Sequence, residues 1–371
     1  MASLISNIRI SLSRFRSIDW VLLLSMFTLL VLGLAAIYSV ELSQSSGNFL
    51  NVKKQFIAIG IASVVFFYVT VSNYQLLRNY SLVLYVAGPL LLLSVLVFGD
   101  TIRGARGWFV VGPVSMQPVE FMKAGLIVAL ATFFSSKAER PLRVKDVLFS
   151  GLIVLAPVFL VMMQPDLGSA SVLVGTWFFM AMFAGMRYQH VVMLGVVGAV
   201  TSIIAWFNFF AEYQKARIRT FIDPTFDPLG QGYNVAQAII AIGSGGWVGS
   251  GLGFGTQSHL KFLPESQTDF IFAVIAEELG FIGVTVLIVA FSLLFYRLMR
   301  IALRASDDFT ALIVLGVISV LFLQFLVNIG MNLGLLPVTG IGLPFVSYGG
   351  SSMIFLLLLV AFAQSIAIRQ R

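Results

Sequence analysis

A single carboxylate, Asp269, is the side chain of this sequence best suited to acid–base chemistry. It lies where a polar stretch, 262–268, meets a strongly apolar run that begins at Phe270. A charge at the mouth of a membrane helix is costly to place, so it needs a reason. One reason is the capping of the helix that follows, for which Thr268 is an alternative residue. The other is general-base catalysis at the membrane surface.

Glu120 and Lys123 form a second polar group in apolar surroundings. They lie three residues apart at the start of a predicted helix over 118–135, so they share one face and can form an ion pair. Pro118 in the first turn and a carboxylate near the positive end of the dipole are typical of a helix start. The pair either staples two helices together or lines a cavity that positions an anionic substrate.

Other polar groups are candidates for binding. Asp166 is placed to cap the predicted helix that begins at 167, or to act as a second carboxylate or metal ligand. Arg106, Arg217 and Arg219 suit lipid head groups, and guanidinium groups also bind pyrophosphate bidentately. The sequence has no Cys and two His, which excludes a thiolate metal site and a His-rich zinc site.

The elements that must position these groups are membrane helices. Of 371 residues, 59% are hydrophobic and 11% charged, against about 45–50% and about 25% in soluble domains. We therefore predict an all-α polytopic membrane protein, a single integral membrane domain over 1–371. Ten segments have about the length that crosses a bilayer. These predicted spans are 20–40, 56–72, 79–98, 118–135, 147–163, 167–186, 191–210, 270–296, 309–333 and 346–367.

The distribution of Lys and Arg predicts the orientation. With the amino terminus in the cytoplasm, 14 of the 23 Lys and Arg residues fall on the cytoplasmic side, mostly in short loops. Both termini are then cytoplasmic, and a long extracytoplasmic loop, 211–269, ends at Asp269. Within that loop, 233–242 is an apolar helical stretch too short to span. A long loop with such an element is more often functional than not.

Polar residues inside the predicted spans have structural and functional interpretations. Intramembrane carboxylates such as Glu277 and Glu278 are functional by default, but a hydrogen bond between helices explains them equally well. Gln324, Asn328 and Asn332 recur every four residues, so they share a face, and interhelical hydrogen bonds are expected there.

Several activities are excluded by the pattern of residues. The net charge of +7 is scattered among loops without a basic, aromatic stripe, so nucleic acid is not an expected partner and anionic membrane lipids are. The run 258–261 matches Ser-x-x-Lys but lacks the motifs that accompany it in acylating enzymes. No phosphate loop or dinucleotide fingerprint is present, so no organic cofactor is expected.

Six motifs are together very specific: 117–123, 164–168, 223–230, 241–246, 262–273 and 344–351. In these motifs the chain resembles the SEDS family (shape, elongation, division and sporulation) of polytopic peptidoglycan polymerases. Short termini and the run 276–280 are more similar to the RodA-like rod-shape branch than to the FtsW-like division branch. Val119 and Gly107 stand where the family usually has Ser and Arg.

The resemblance implies that Asp269 is the catalytic carboxylate and that Glu120 and Lys123 line its cavity. Further substrate contacts are predicted for residues of the same motifs and for the basic loops: Gln117, Asp166, Ser347, Arg106, Arg217 and Arg219. Lipid II and undecaprenyl-pyrophosphate-linked glycan are the implied substrates. The implied location of the protein is the bacterial inner membrane. The implied partner is a class B penicillin-binding transpeptidase. A divalent cation, Mg²⁺ or Mn²⁺, is left open as a cofactor.

Two other functions are compatible with the sequence. A lipid II flippase would use the same polar groups along a path through the bilayer, whereas a transferase needs them clustered at the outer face. Glu277 and Glu278 are the residues that favour the flippase. A non-catalytic scaffold for the transpeptidase would depend on its surface and not on Asp269.

Overall fold

The computed structural model describes residues 18–42, 49–102, 105–112, 114–137, 141–208, 210, 212–223, 226–227, 230–260 and 262–370. Within these ranges, nine helices are long and apolar enough to cross a membrane, and a tenth apolar helix, α7, is shorter. The membrane helices are α1 (Trp20–Leu42), α2 (Leu50–Val71), α4 (Ser81–Phe98), α5 (Pro118–Ser135), α6 (Val144–Met163), α7 (Leu167–Phe183), α8 (Tyr188–Asn208), α12 (Ile271–Leu303), α13 (Asp308–Asn332) and α14 (Gly350–Arg369). Each predicted span coincides with one of them, which confirms the polytopic helical fold.

Shorter elements connect these helices. They are α3 (Gln75–Asn79), α9 (Glu212–Ile222), α10 (Gln231–Ser244) and α11 (Thr256–His259), and three strands, β1 (Asp100–Ile102), β2 (Ala105–Val111) and β3 (Val114–Met116). The strands form a small antiparallel sheet in the order β1-β2-β3 between α4 and α5, which the sequence did not predict. The predicted loop 211–269 contains α9, α10 and α11, and α10 includes the short apolar helix expected at 233–242.

Two helix boundaries differ from the predicted spans by six or more residues. α2 begins at Leu50 and not at 56, and it includes Lys53 and Lys54 in its first turns. Lysines at the membrane end of a helix extend their charge to the interface, so hydropathy alone places the boundary too late. α12 continues past 296 to Leu303 for the same reason, since its last turns carry Arg297 and Arg300.

α13 is the central helix of the bundle. It packs against α5, α7, α12 and α14, while α1 packs on α12 and α2 packs on α14. α8 lies at the edge and, of its side chains, buries only that of His190. Because successive spans alternate in direction, α5, α7, α12 and α14 all begin at the same end of the bundle. We call this end the site side.

The opposite end is held by ion pairs. Asp19 caps α1 through a hydrogen bond from the Leu22 amide (3.1 Å) and accepts the Arg297 guanidinium of α12 at 2.9 Å. Asp19 is buried, so the pair ties α1 to α12. Lys137 and Asp146 similarly approach to 3.2 Å between α5 and α6.

α12 is broken near its start. Gly280 has φ 61 and ψ −160, which is not helical, so the helical hydrogen bonds across it are lost. The glycine-rich segment 245–253 supplies the missing partners. The replacement hydrogen bonds are Ser250 N to Glu277 O (3.0 Å), Gly251 N to Glu278 O (3.0 Å), Phe281 N to Gly246 O (2.9 Å) and Ile282 N to Trp247 O (3.1 Å).

The side chain of Glu277 holds the next part of the same segment. It accepts hydrogen bonds from the amides of Gln257 (2.7 Å) and Ser258 (3.1 Å) at the start of α11, and one from the Thr256 hydroxyl (3.3 Å). Glu278 accepts one from the Ser258 hydroxyl at 3.2 Å. Both carboxylates thus bind the loop that packs against the break in α12.

We predict that Gly249→Ala destabilises the protein. Gly249 has φ +78, and a methyl group there would overlap the Glu278 carbonyl in the break of α12. The left-handed conformation and the overlap together should cost about 2–4 kcal/mol, measurable as a lower melting temperature in detergent. Gly60→Ala is the matched control, because a methyl group at this α2 position meets nothing within 4 Å. An unchanged melting temperature for Gly249→Ala would show that the segment does not need this close approach.

Candidate active site

Asp269 lies in the turn immediately before α12. The N-cap residue of that helix is Phe270, which makes no side-chain capping bond, and the Thr268 hydroxyl instead donates to Glu265. Asp269 is half-buried, and a methyl group added at Gly340 would lie 3.8 Å from its Oδ2. The position of the N-cap therefore differs from both residues proposed for it, and the carboxylate is directed at the connection between α13 and α14, residues 333–349.

The backbone that carries Asp269 is held by that same connection. The Gln267 carbonyl accepts a hydrogen bond from the Tyr348 amide at 2.8 Å. The Thr268 carbonyl accepts one from the Ser347 hydroxyl at 2.6 Å, and this hydroxyl in turn accepts from the Leu343 amide at 2.7 Å. Ser347 is buried, with both bonds directed at the backbone. It lies next to Asp269, as expected of a site residue, in a place where it shapes the turn.

The carbonyl of Asp269 itself is held by α13. The side-chain amides of Asn328 and Asn332 donate to it at 3.0 and 2.9 Å. Asn328 also donates to the Ile341 carbonyl at 2.8 Å, and Asn332 accepts from the Ala273 amide in the first turn of α12 at 3.2 Å. Both asparagines have no exposed surface. The predicted hydrogen bonding of this face is confirmed for these two residues.

A second polar cluster joins the starts of α5, α7 and α14. Asp166 is the N-cap residue of α7 and accepts from the Ser169 amide at 2.9 Å, which confirms the predicted cap. Its other oxygen accepts from the Gln117 side chain at 3.2 Å. The Gln117 amide donates to the Ser351 hydroxyl at 3.3 Å. Gln117 and Asp166 therefore act together on the site side.

Glu120 and Lys123 lie in the first turns of α5, just inside the bundle from its N-cap residue Gln117. The Lys123 ammonium donates to Glu120 Oε1 at 2.7 Å, and the residues are 6% and 3% exposed. The predicted ion pair is thus present and almost fully removed from the surface. Because both members belong to α5, the pair does not itself staple two helices.

The α13–α14 connection joins the two clusters. Gly168, in the first turn of α7 beside Asp166, is so close to the Thr339 carbonyl that a side chain would not fit. Gly340, which follows Thr339 in the connection, faces the Asp269 carboxylate. The structure therefore brings Asp269, Ser347, Gln117 and Asp166 to one side of the bundle around a single connecting segment.

Arg217, one of the described basic residues of the loop, lies near this segment. It lines a cleft of about 110 Å³ between α9, α10 and the end of α13. Leu336, Pro337 and Val338 form part of the same lining, and Val338 lies two residues before Gly340. A guanidinium group above an apolar wall suits an amphiphilic phosphate.

Arg219 and Arg106 have other surroundings. Arg219 lies over the rings of Trp206 and Phe226, at 5.8 and 5.7 Å from their centroids, and 3.6 Å from Glu212. Arg106 donates to the carbonyls of Gly99 and Val97 at the end of α4, at 3.0 and 2.9 Å. These contacts fix the sheet and α9, and the structure does not bring either guanidinium to the Asp269 turn.

Glu212 keeps its negative charge for a local reason. The Lys215 ammonium, hydrogen-bonded to it at 3.0 Å, holds the pKa of the Glu212 carboxyl below its usual range, and Arg219 adds to this effect. These charges belong to the surface of α9.

Comparison with known proteins identifies the chain. The family of cell cycle proteins that comprises FtsW, RodA and SpoVE matches residues 19–371. The chain belongs to the FtsW/RodA/SpoVE family. This confirms the resemblance to SEDS proteins inferred from the motifs.

Relatives come from more than one branch of the family. Stage V sporulation protein E of Bacillus subtilis is 40% identical over 351 residues, covering 92% of this chain and 94% of that protein. Peptidoglycan glycosyltransferase MrdB of Escherichia coli K12 is 40% identical over 274 residues, 74% of each. A probable peptidoglycan glycosyltransferase FtsW of Halothiobacillus neapolitanus is 37% identical, covering 93% of this chain and 85% of that protein.

Solved structures show the same fold. A chain in a peptidoglycan synthase complex that coordinates polymerization and crosslinking has a TM-score of 0.80 and 34% identity, covering 95% of this chain and 98% of that chain. The rod shape determining protein RodA of Thermus thermophilus has a TM-score of 0.70 and 30% identity, covering 94% and 96%.

Sequence reasoning missed how this family member builds the turn around Asp269. Asn51, in the first turn of α2, donates to the Gln267 side chain at 2.7 Å. Gln55 accepts from the Gly349 amide at 3.1 Å, which holds the α13–α14 connection. The side-chain amides at positions 51 and 55 lie one helical turn apart near the membrane end of a span. This spacing was the sequence signal that could have indicated their role.

Proposed function

We propose that this chain is a peptidoglycan glycosyltransferase that polymerises lipid II into glycan strands. The observation that carries the proposal is the turn at Asp269, in which three successive carbonyls are hydrogen-bonded while the carboxylate faces Gly340. A side chain on such a backbone is oriented before substrate binds, as catalysis by a general base requires. Family membership and the names of its relatives support the same activity.

In the proposed reaction, Asp269 is the base. The 4-hydroxyl of N-acetylglucosamine in one lipid II attacks the anomeric carbon of N-acetylmuramic acid in the growing strand. A new C–O bond forms, the bond from that carbon to the pyrophosphate oxygen breaks, and the hydroxyl proton passes to the Asp269 carboxylate. Undecaprenyl pyrophosphate leaves without needing a proton, so one carboxylate suffices, unlike the pair that glycoside hydrolases use.

Positive charge is needed where the pyrophosphate departs. Among the described basic loop residues discussed above, Arg217 is the one whose cleft adjoins the segment that faces Asp269, and we propose it as a source. Lys123, already paired with Glu120, can hold substrate only together with that carboxylate. Arg106 and Arg219 are more distant contributors, through the sheet and α9.

A divalent cation is a further proposal. Within the described ranges, no three Asp, Glu, His or Cys side chains come together to hold a metal ion. Mg²⁺ commonly takes one or two carboxylates and completes its shell with substrate phosphates and water. We propose that Mg²⁺ or Mn²⁺ would bind in this way, through Asp269 and the pyrophosphate.

A lipid II flippase is the second candidate, and the structure bears on its main argument. Glu277 and Glu278 were the residues that favoured it, and both side chains are hydrogen-bonded to α11, just after the segment that packs into the break of α12. These hydrogen bonds give both carboxylates a structural role, so a transport path is not needed to explain why they are charged residues within a membrane helix. Clustering of Asp269, Gln117 and Asp166 at one end supports the transferase.

We propose further that the site side faces away from the cytoplasm, in the bacterial inner membrane. Of the Lys and Arg residues that the structure describes, most lie at the opposite end, among them Arg297, Lys137 and Arg369. The positive-inside rule then puts that end in the cytoplasm and both termini with it.

The proposed partner is a class B penicillin-binding transpeptidase, and the proposed role is cell elongation in the RodA-like branch. The similarity to a chain in a peptidoglycan synthase complex supports a partner that crosslinks. MrdB and RodA among the relatives support the branch, although SpoVE and FtsW relatives are about as similar.

The test is lipid II polymerisation by purified protein, alone and with its transpeptidase. Glycan strands separated on a gel are the result expected of a transferase. Transfer of fluorescent lipid II across proteoliposomes without strand formation would instead establish the flippase. Neither activity, together with stimulation of the transpeptidase, would establish a scaffold.

A further inference from the structure

We propose that Asn328 and Asn332 of α13 are positioning residues for Asp269, an inference that rests on the proposed role of this carboxylate as the base. Two side-chain amides, one helical turn apart, converge on the single carbonyl oxygen of Asp269 at 3.0 and 2.9 Å. A backbone carbonyl oxygen has two acceptor lone pairs, and side-chain amides use both of them here. A pair of donors fixes the direction of the peptide group and, through it, of the side chain.

The surroundings make this clamp rigid. Both asparagines have no exposed surface, so neither amide can exchange its bond for one to water without a large cost. Asn328 also holds the Ile341 carbonyl at 2.8 Å, next to Gly340, which faces the carboxylate. The same side chain therefore sets both Asp269 and the surface opposite it.

Asn332 also holds the start of α12, the helix that Asp269 precedes. Its Oδ1 accepts from the Ala273 amide at 3.2 Å, one of the backbone donors at the start of α12 that have no partner within the helix. That task commonly falls to a carboxylate or hydroxyl at the N-cap, and here the N-cap is Phe270. An asparagine from another helix thus performs a capping task at the helix that Asp269 precedes.

A matched control is present on the same helix face. Gln324 lies one turn before Asn328, is 5% exposed, and has a buried Oε1 that accepts no hydrogen bond. Among the hydrogen bonds of the described residues, those to the Asp269 carbonyl come from Asn328 and Asn332, and none joins Gln324 to Asp269. Replacing Gln324 by Leu removes a buried amide from α13 without touching the clamp.

The first experiment compares Asn332→Leu and Asn328→Leu with Gln324→Leu in the lipid II polymerisation assay. Misplacement of a catalytic group by about 1 Å can cost about 100-fold in rate. We expect kcat to fall at least tenfold in both asparagine variants, with KM within twofold of wild type, and to stay within twofold in Gln324→Leu. Asn328→Leu keeps the bond to Ala273, so it tests the clamp should Asn332→Leu fold poorly.

The second experiment does not depend on activity. The chain has no cysteine, so Asp269→Cys introduces a single thiol whose rate of labelling by a small methanethiosulfonate reports its orientation and access. Adding Asn328→Leu or Asn332→Leu should change that rate at least threefold, and adding Gln324→Leu should not.

The positioning role is overturned if a folded Asn328→Leu variant keeps kcat within twofold of wild type, or if labelling at position 269 is the same in all three backgrounds. Failure of the proposed function has a different signature. In that case, the wild-type protein makes no glycan strands, or the Asp269→Asn variant polymerises lipid II at nearly the wild-type rate. The labelling rates at position 269 still report on the clamp.

Discussion

Asp269→Asn should lower the rate of lipid II polymerisation by about 100- to 10,000-fold, the range that general-base catalysis contributes. Asparagine keeps the size of the side chain and cannot take up the proton of the attacking hydroxyl. The hydrogen bonds that hold this turn use the backbone carbonyl of Asp269, so the substitution leaves them in place. The melting temperature in detergent should therefore stay close to that of wild type.

Glu265→Gln is the matched control for this prediction. Glu265 is an exposed carboxylate in the same turn, four residues before Asp269. Its backbone carbonyl accepts from the Asp269 amide at 3.1 Å, and that bond is unaffected by the change of side chain. We expect polymerisation by Glu265→Gln within a few-fold of wild type. Near wild-type polymerisation by Asp269→Asn would remove Asp269 from the role of base.

The membrane helices could be predicted because hydropathy and length decide them locally. Each of the ten predicted spans coincides with a helix, and even the short helix at 233–242 was visible as an apolar stretch. Boundaries were less accurate where lysine or arginine continues a helix into the interface, as at Lys53 and Arg300. The strands at 100–116 were missed because they are short and lie among glycines.

The candidate site was predicted in its residue types and not in its contacts. The spacing of Asn328 and Asn332 indicated a buried polar face, but their acceptor lies 59 residues or more away in sequence, at Asp269. Nothing local identifies such a partner. Glu277 was ambiguous for the same reason, since its side-chain donors lie in α11, which follows a glycine-rich segment whose path depends on the break in α12.

Lys123→Met should destabilise the protein by about 3–5 kcal/mol, because it leaves the Glu120 carboxylate buried without its counter-charge. Glu120 is 6% exposed, and its bond to Lys123 is 2.7 Å long. Chemical or thermal unfolding in detergent measures the change. Lys215→Met removes a similar i,i+3 pair at the surface of α9, where Glu212 is exposed, and should leave the melting temperature nearly unchanged.

The double variant Glu120→Gln/Lys123→Met separates the two interpretations of the pair. Removing both charges takes away the unpaired buried carboxylate, so most of the lost stability should return. If the pair serves only the packing of α5, polymerisation should return with it.

We expect the double variant to regain stability without regaining polymerisation activity. Gln117, three residues before Glu120, links α5 to Asp166, and this places the pair directly beneath the polar cluster of the site side. A charge pair there can exchange its internal bond for one to a substrate phosphate or hydroxyl, which a Gln–Met pair cannot do. The double variant should therefore polymerise lipid II at least about tenfold more slowly than wild type, a loss of about 1.4 kcal/mol in transition-state stabilisation. Wild-type activity in this variant would make the pair purely structural.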